Sequence, residues 1–240
     1  MRVPFVAQEM LKKCDLSQSE FIQAQREVDY IFTNYFRLFW DVKSWTETYW
    51  QGYKIYKYPS DIVAYQEIIF EKKPDVIIET GTYFGGGALF LANMLDLLGK
   101  GRVITVDLRL KDNLPVHDRI VYVEGDCISQ DVVNRISDIV SPSDKVMVCL
   151  DSRHNKYHVD KEMDLYHKFV SPDQYFIVDD TYLGLLYDII DPETQKIISP
   201  GPREAVIEFI DTHKNFVIDR SREKFLHTQN PYGYLLRTEG

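Results

Sequence analysis

Six carboxylates, Glu79, Asp107, Asp126, Asp151, Asp179 and Asp180, stand at or just beyond the ends of short apolar runs. Gathered on one edge, they would repel one another unless hydrogen bonds, a cation or ligand hydroxyls compensate them. Asp151, Asp179 and Asp180 are hard oxygen donors that can converge on magnesium or a similar divalent ion. Asp107 follows a glycine-rich loop by roughly twenty residues, the separation at which a carboxylate can hold the hydroxyls of a nucleoside ribose. With Glu79 nearby, that end of the edge suits hydroxyl or amino groups. His154 comes just after Asp151, with His158 one helical turn further. An imidazole beside a cation or its bound substrate can take a hydroxyl proton near neutrality. Taken singly, each aspartate is more often a helix cap or turn residue, and a structural role suits His154 equally.

The stretch DVIIETGTYFGGGALFLANML, residues 75–95, must position one end of this edge. Val76, Ile77 and Ile78 read as a strand buried on both faces, and glycines 81, 85, 86 and 87 supply the turn. From Ala88 to Leu98 the apolar spacing becomes helical. Such a loop brings backbone N–H groups and a helix start close to a ligand. Glu79 sits where phosphate oxygens would crowd, and no Lys-Ser/Thr pair follows the glycines, so a P-loop is excluded and a nucleoside is favoured.

Around that loop the pattern alternates strand and helix. Strands are expected at 102–106, 120–123, 146–150 and 175–178, with helices over 60–72, 132–139, 159–169 and 202–213, and a final strand pair at 216–218 and 232–236. Ser60 or Asp61 is the expected cap of the helix ending near Lys72, and residues 192–202 read as turn-rich. This predicts an α/β fold, an open and mostly parallel seven-stranded sheet with helices on both faces, and ligands at the carboxyl ends of its strands. Residues 1–59 form an N-terminal helical and aromatic extension of the same unit, and residues 60–240 the main domain. Within the extension, residues 19–41 carry Phe21, Val28, Ile31, Phe32, Tyr35, Phe36 and Phe39 at helical spacing. They suit core packing, self-association or a cover over the site. The aromatic run 46–59 suits packing or a pocket wall.

With 240 residues, 45% hydrophobic and 27% charged, the chain can bury one full core. A formal net charge of -9 disfavours a broad nucleic-acid or anionic-membrane surface. Cys14, Cys127 and Cys149 are too few and too unpatterned for a disulfide scaffold, and the scattered cysteines and histidines give no compact zinc motif. With no apolar run of membrane length and no leader pattern, a reducing, cytoplasmic setting is expected.

Linked motifs over residues 46–237, namely the 75–95 loop, VITVDL, VEGD, LDSRH, IVDDT, GPREAV and NPYGYLLR, resemble the cephalosporin hydroxylase and rhamnosyl O-methyltransferase family. The resemblance implies a Rossmann-like, class I S-adenosylmethionine-dependent methyltransferase fold and metal-assisted O-methylation; the hydroxylase name does not describe that chemistry. It implies that Glu79, Gly81, Thr82, Tyr83, Gly85 and Gly87 hold the methionine part of the cofactor, Asp107 the ribose and Asp126 the adenine side. It implies Asp151, Asp179 and Asp180 as ligands of Mg2+ or another divalent ion, with Asp151 and His154 catalytic. His154 stands where the similar catechol-type O-methyltransferases carry a lysine, and Gly87 where the family is expected to carry serine. The implied acceptor is a hydroxylated small molecule, a sugar or a polyketide-like natural product, and the implied assembly a homo-oligomer. An NAD-dependent oxidoreductase is the alternative enzyme, although Thr82-Tyr83-Phe84 replaces the second glycine of its fingerprint. A non-catalytic S-adenosylmethionine-binding partner protein is the third reading.

Overall fold

The computed structural model describes residues 11–183, 200–225 and 227–238. Helix α1 (Gln18–Asp41) starts at a capping box in which Ser17 and Glu20 satisfy each other's backbone N–H groups. Two short strands, β1 (Tyr49–Trp50) and β2 (Tyr53–Lys54), make an antiparallel hairpin over Gln51-Gly52, and α2 (Pro59–Lys72) follows. Strand β3 (Val76–Thr80), α3 (Gly86–Leu98), β4 (Arg102–Asp107), β5 (Ile120–Glu124) and α4 (Gln130–Ile139) form the first half of the main domain. The second half has β6 (Val146–Leu150), α5 (Lys156–Tyr166), β7 (Tyr175–Val178), α6 (Pro202–Thr212), β8 (Phe216–Ile218) and β9 (Tyr234–Arg237).

The sheet order is β5-β4-β3-β6-β7-β9-β8; β9 runs antiparallel to both neighbours and the other pairings are parallel. This is the expected mostly parallel, seven-stranded, Rossmann-like sheet. Side-chain alternation sends Val76, Ile78, Val148 and Leu150 to the face covered by α4, α5 and α6, and Ile77, Val103, Met147 and Cys149 to the face covered by α2 and α3.

One local expectation changes. The helix ending at Lys72 begins at Pro59 with Tyr58 as its cap residue, because proline's fixed φ and missing N–H suit a first helical position. Asp61 therefore lies inside the first turn, buried, where it accepts hydrogen bonds from the Thr228 hydroxyl, the Gln229 N–H at 2.8 Å and the Tyr234 hydroxyl at 2.9 Å. Most of the 192–202 segment lies outside the described residues.

Helix α1 lays Phe36 against Tyr58 at 5.1 Å and against Tyr182 at 4.7 Å between ring centres, so its inner face is core. Its outer face exposes Ile22, Tyr30, Ile31 and Leu38. Among the described residues, no helix is long and apolar enough to cross a membrane.

Asp61 ties α2 to the segment before β9, so Asp61→Ala strands three buried donors. It should cost about 2–4 kcal/mol, read as a lower urea midpoint at unchanged slope; a shift below about 0.5 kcal/mol would contradict this role.

Candidate active site at the strand ends

Strand β3 lies where the sheet order reverses: β4 and β5 continue on one side, β6 and β7 on the other. Diverging connections at such a point leave a crevice beyond the strand ends. At its floor, Gly81 adopts φ +90, and a Cβ there would lie 1.9 Å from the Asp151 carbonyl oxygen. Only glycine allows the loop after β3 to touch the chain leaving β6. The loop thus abuts the segment that carries the acidic trio.

On the loop side, the Tyr83 N–H donates to Asp107 Oδ2 at 2.8 Å, and the Arg109 N–H to Oδ1 at 3.2 Å. Asp107 stands against the loop at the end of β4. Glu79 lies underneath, 2% exposed, accepting from the Thr105 hydroxyl at 2.6 Å, while the Thr105 and Thr82 hydroxyls are 2.7 Å apart. Burial raises the Glu79 pKa to about 8 against the opposing pull of the Thr105 hydroxyl and Lys57. A Cβ at residue 87 would come within 2.5 Å of Glu79 Oε1, so a serine there would require the Glu79 carboxylate to shift. Gly85, at φ +78, closes the turn before α3. The rings of Tyr83 and Phe84 meet Tyr56 at 5.4 Å and 5.8 Å, so the 46–59 segment does wall the loop. Asp126 stands beyond β5 and accepts from the Ile128 N–H at 3.2 Å, the local turn its position also suits.

On the acidic side, Asp151, His154 and Asp180 each bring a donor atom within 4.8 Å of the others. His154 Nε2 is 3.1 Å from Asp180 Oδ2. Asp180 adopts φ 57, its N–H donates to Asn230 Oδ1 at 2.9 Å, and burial raises its pKa. Asp179 points elsewhere. It accepts from Lys57 Nζ at 2.6 Å, from the Tyr65 hydroxyl at 2.8 Å and from the Asn230 amide. Lys57, 5% exposed, also donates to Asp151 Oδ2 at 2.9 Å. Burial works against its charge, yet the attraction of Asp151 and Asp179 holds its pKa well above the usual lysine range.

Lys57, Tyr65 and Asn230 escaped the sequence reading. Lys57 is one cation in an aromatic run and Tyr65 lies on a helix face, so neither carries a local signal. Asn230 lay within the quoted NPYGYLLR motif, the one visible hint.

The match to known proteins follows this geometry. The family model described as Rhamnosyl O-methyltransferase/CmcI matches residues 42–238. The chain belongs to that family. A rhamnosyl O-methyltransferase of Mycobacterium tuberculosis is 31% identical over 219 residues, covering 88% of this chain and 87% of its own. One from Mycobacterium leprae is 32% identical over 163 residues, covering 66% and 71%. A solved apo structure of CmcI superposes with a TM-score of 0.60 at 17% identity, covering 81% of this chain and 78% of its own. The fold is therefore that of the methyltransferases, and the family's activity is O-methyl transfer.

The buried Glu79 sets a pH signature. Its pKa is raised from 4.5 to about 8 in the folded chain, so its contribution to stability is fully present below pH 4.5 and is lost as pH rises through about 8. Glu79→Gln should flatten the fall in urea midpoint between pH 5 and 9 in ligand-free protein, by a difference on the order of 1 kcal/mol or more. Parallel wild-type and variant curves would contradict the assignment.

Proposed function

We propose that the protein transfers the methyl group of S-adenosylmethionine to a hydroxyl of a sugar or polyketide-like natural product, in a reaction that depends on a divalent cation. The observation that carries this reading is the contact between the loop at Gly81 and the backbone of Asp151, which sets a nucleoside-suited loop beside an acidic cluster. The named activity of the mycobacterial relatives supports it, as does a CmcI structure described as the Mg-SAM form, which superposes with a TM-score of 0.58 at 17% identity, covering 81% of this chain and 78% of its own.

The residues fit both groups. Three carboxylates against the single Lys57 ammonium leave two negative charges, the complement of one divalent ion. Asp151 and Asp180 are the donors that would hold it, while Asp179 enters the set through Lys57. Such an ion supplies a Lewis acid that makes the acceptor hydroxyl more acidic. Glu79, Gly81, Thr82, Tyr83, Gly85 and Gly87 would shape the seat of the methionine part, Asp107 would hold the ribose hydroxyls, and Asp126 would stand beside the adenine.

His154, kept in place by Asp180, accepts the hydroxyl proton as the oxygen attacks. S-adenosylmethionine bound there would supply the methyl carbon, its C–S bond giving way to the new C–O bond, so that the products would be a methyl ether, S-adenosylhomocysteine and one proton on His154. The loop's part is orientation: it fixes the donor carbon against an oxygen held at Asp151 and Asp180.

The test is radiolabelled methyl transfer from S-adenosylmethionine to a panel of rhamnosyl and other deoxysugar glycosides, with magnesium or with chelator. Product should form with magnesium only, and His154→Ala should lower kcat by about 10²–10⁴-fold. Transfer that is indifferent to chelation would remove the cation from the proposal. Absence of transfer to every hydroxylated acceptor, with S-adenosylmethionine unbound in calorimetry, would overturn the whole.

A further inference from the structure

Behind the acidic cluster lies a second group of ligating atoms that the methyl-transfer reading does not use. Cys127 follows β5, while His158 and Glu162 sit one turn apart on the same face of α5. All three are buried, and their donor atoms lie within 4.8 Å of one another. Cys127 Sγ is 3.4 Å from His158 Nε2 and 3.4 Å from Glu162 Oε1. Those spacings match the edges of a tetrahedron, roughly 3.3–3.6 Å, that zinc bonds of about 2.0–2.3 Å generate. The Ser152 hydroxyl closes a fourth side, 2.7 Å from Glu162 Oε1, 3.1 Å from His158 Nε2 and 3.7 Å from Cys127 Sγ. Asn155 caps α5 by accepting the His158 N–H at 3.0 Å, and the Tyr166 hydroxyl holds the Cys127 carbonyl at 2.9 Å, so the ligand-bearing backbone is fixed from both sides.

A second observation points the same way. Glu162 is 0% exposed; beside the Thr80, Ser152 and Cys127 side chains its carboxylate still has an oxygen, Oε2, without a hydrogen bond of ordinary geometry, 3.8 Å from His158 Nε2. An unsatisfied buried carboxylate oxygen is costly, and a cation among these atoms would satisfy it. We infer that Cys127, His158 and Glu162, with Ser152 alongside, form a structural site for zinc or a similar transition-metal ion, distinct from the acidic site at Asp151 and Asp180. A thiolate, a carboxylate and a neutral imidazole cancel a double positive charge, so the filled site is neutral, as burial demands. Burial pushes the Cys127 thiol well up, raises Glu162 to about 7 and lowers His158, so the thiolate in particular needs a cation to form. Cysteine and histidine are 31 positions apart, which is why no compact motif shows in the sequence. Because Ser152 adjoins Asp151, the site also braces the segment that carries the first acidic ligand.

The experiment uses the full chain with the exposed Cys14 replaced by serine, freed of metal by chelation and titrated with cobalt(II). One equivalent should produce a thiolate-to-cobalt charge-transfer band that zinc(II) abolishes, and the same band should appear in Asp180→Asn. Cys127→Ser should abolish it, and Glu162→Gln should weaken cobalt binding by about 10-fold or more. With the acidic site disabled by Asp180→Asn in both, zinc should raise the melting temperature of the parent more than that of Glu162→Gln at the same zinc concentration. If Cys127→Ser does not fold, the parent spectrum and the Glu162→Gln titration decide. A folded parent with no sulfur band, or a band that persists undiminished in Cys127→Ser or Glu162→Gln, would overturn the proposal.

Discussion

The Lys57 ammonium, buried between Asp151 and Asp179, is the interaction on which the rest of the site depends. Dehydrating an ion costs several kcal/mol, so the arrangement holds only if attraction and hydrogen bonds offset that cost. Both conditions are met. Two carboxylates accept from Nζ, and Asp179 is further satisfied by Tyr65 and Asn230. Without the ammonium, the ends of β6 and β7 would confront each other with like charges across adjacent strands. The aromatic extension serves this pairing: Tyr58, next in sequence, is clamped by Phe36 and Phe39 of α1, and Phe36 also packs on Tyr182, just beyond Asp180. Helix α1 therefore anchors both the lysine and the last acid.

A lysine that takes up Asp179 also changes how the acids divide their work. Asp180 and Asp151 are left facing His154. The glycine contact at Gly81 fixes how near the neighbouring loop can come. Charge at one end and backbone approach at the other define a crevice with an electron-rich side and a nucleoside-suited side, the division that methyl transfer between a sulfonium and a hydroxyl requires.

Much of this was legible in the chain. Apolar runs of strand length ending in acids predicted β3 to β7 and placed Glu79, Asp107, Asp126, Asp151, Asp179 and Asp180 at one edge, because the alternation of strand and helix leaves a parallel sheet as the economical fold. The boundary at Pro59 was missed because Ser60 and Asp61 mimic a cap, while proline chemistry decides the start. The short hairpin at 49–54 was missed because Gln51-Gly52 sits in a run of aromatics read as packing or a pocket wall. The direction of Asp179 could not be read at all. It follows from which partners the fold brings from residues 57, 65 and 230, and long-range hydrogen bonds of that kind leave no periodic trace. The same holds for Cys127, His158 and Glu162, whose ligand-like spacing arises only when β5 and α5 pack together.

The most direct measurement is anomalous diffraction from crystals grown with manganese(II) and S-adenosylhomocysteine. The account predicts one manganese peak within bonding distance of Asp151 and Asp180, Lys57 still paired with Asp179, and S-adenosylhomocysteine lying along the 81–87 loop with its ribose at Asp107. A peak on Asp179 with Lys57 displaced, or S-adenosylhomocysteine bound away from that loop, would contradict it.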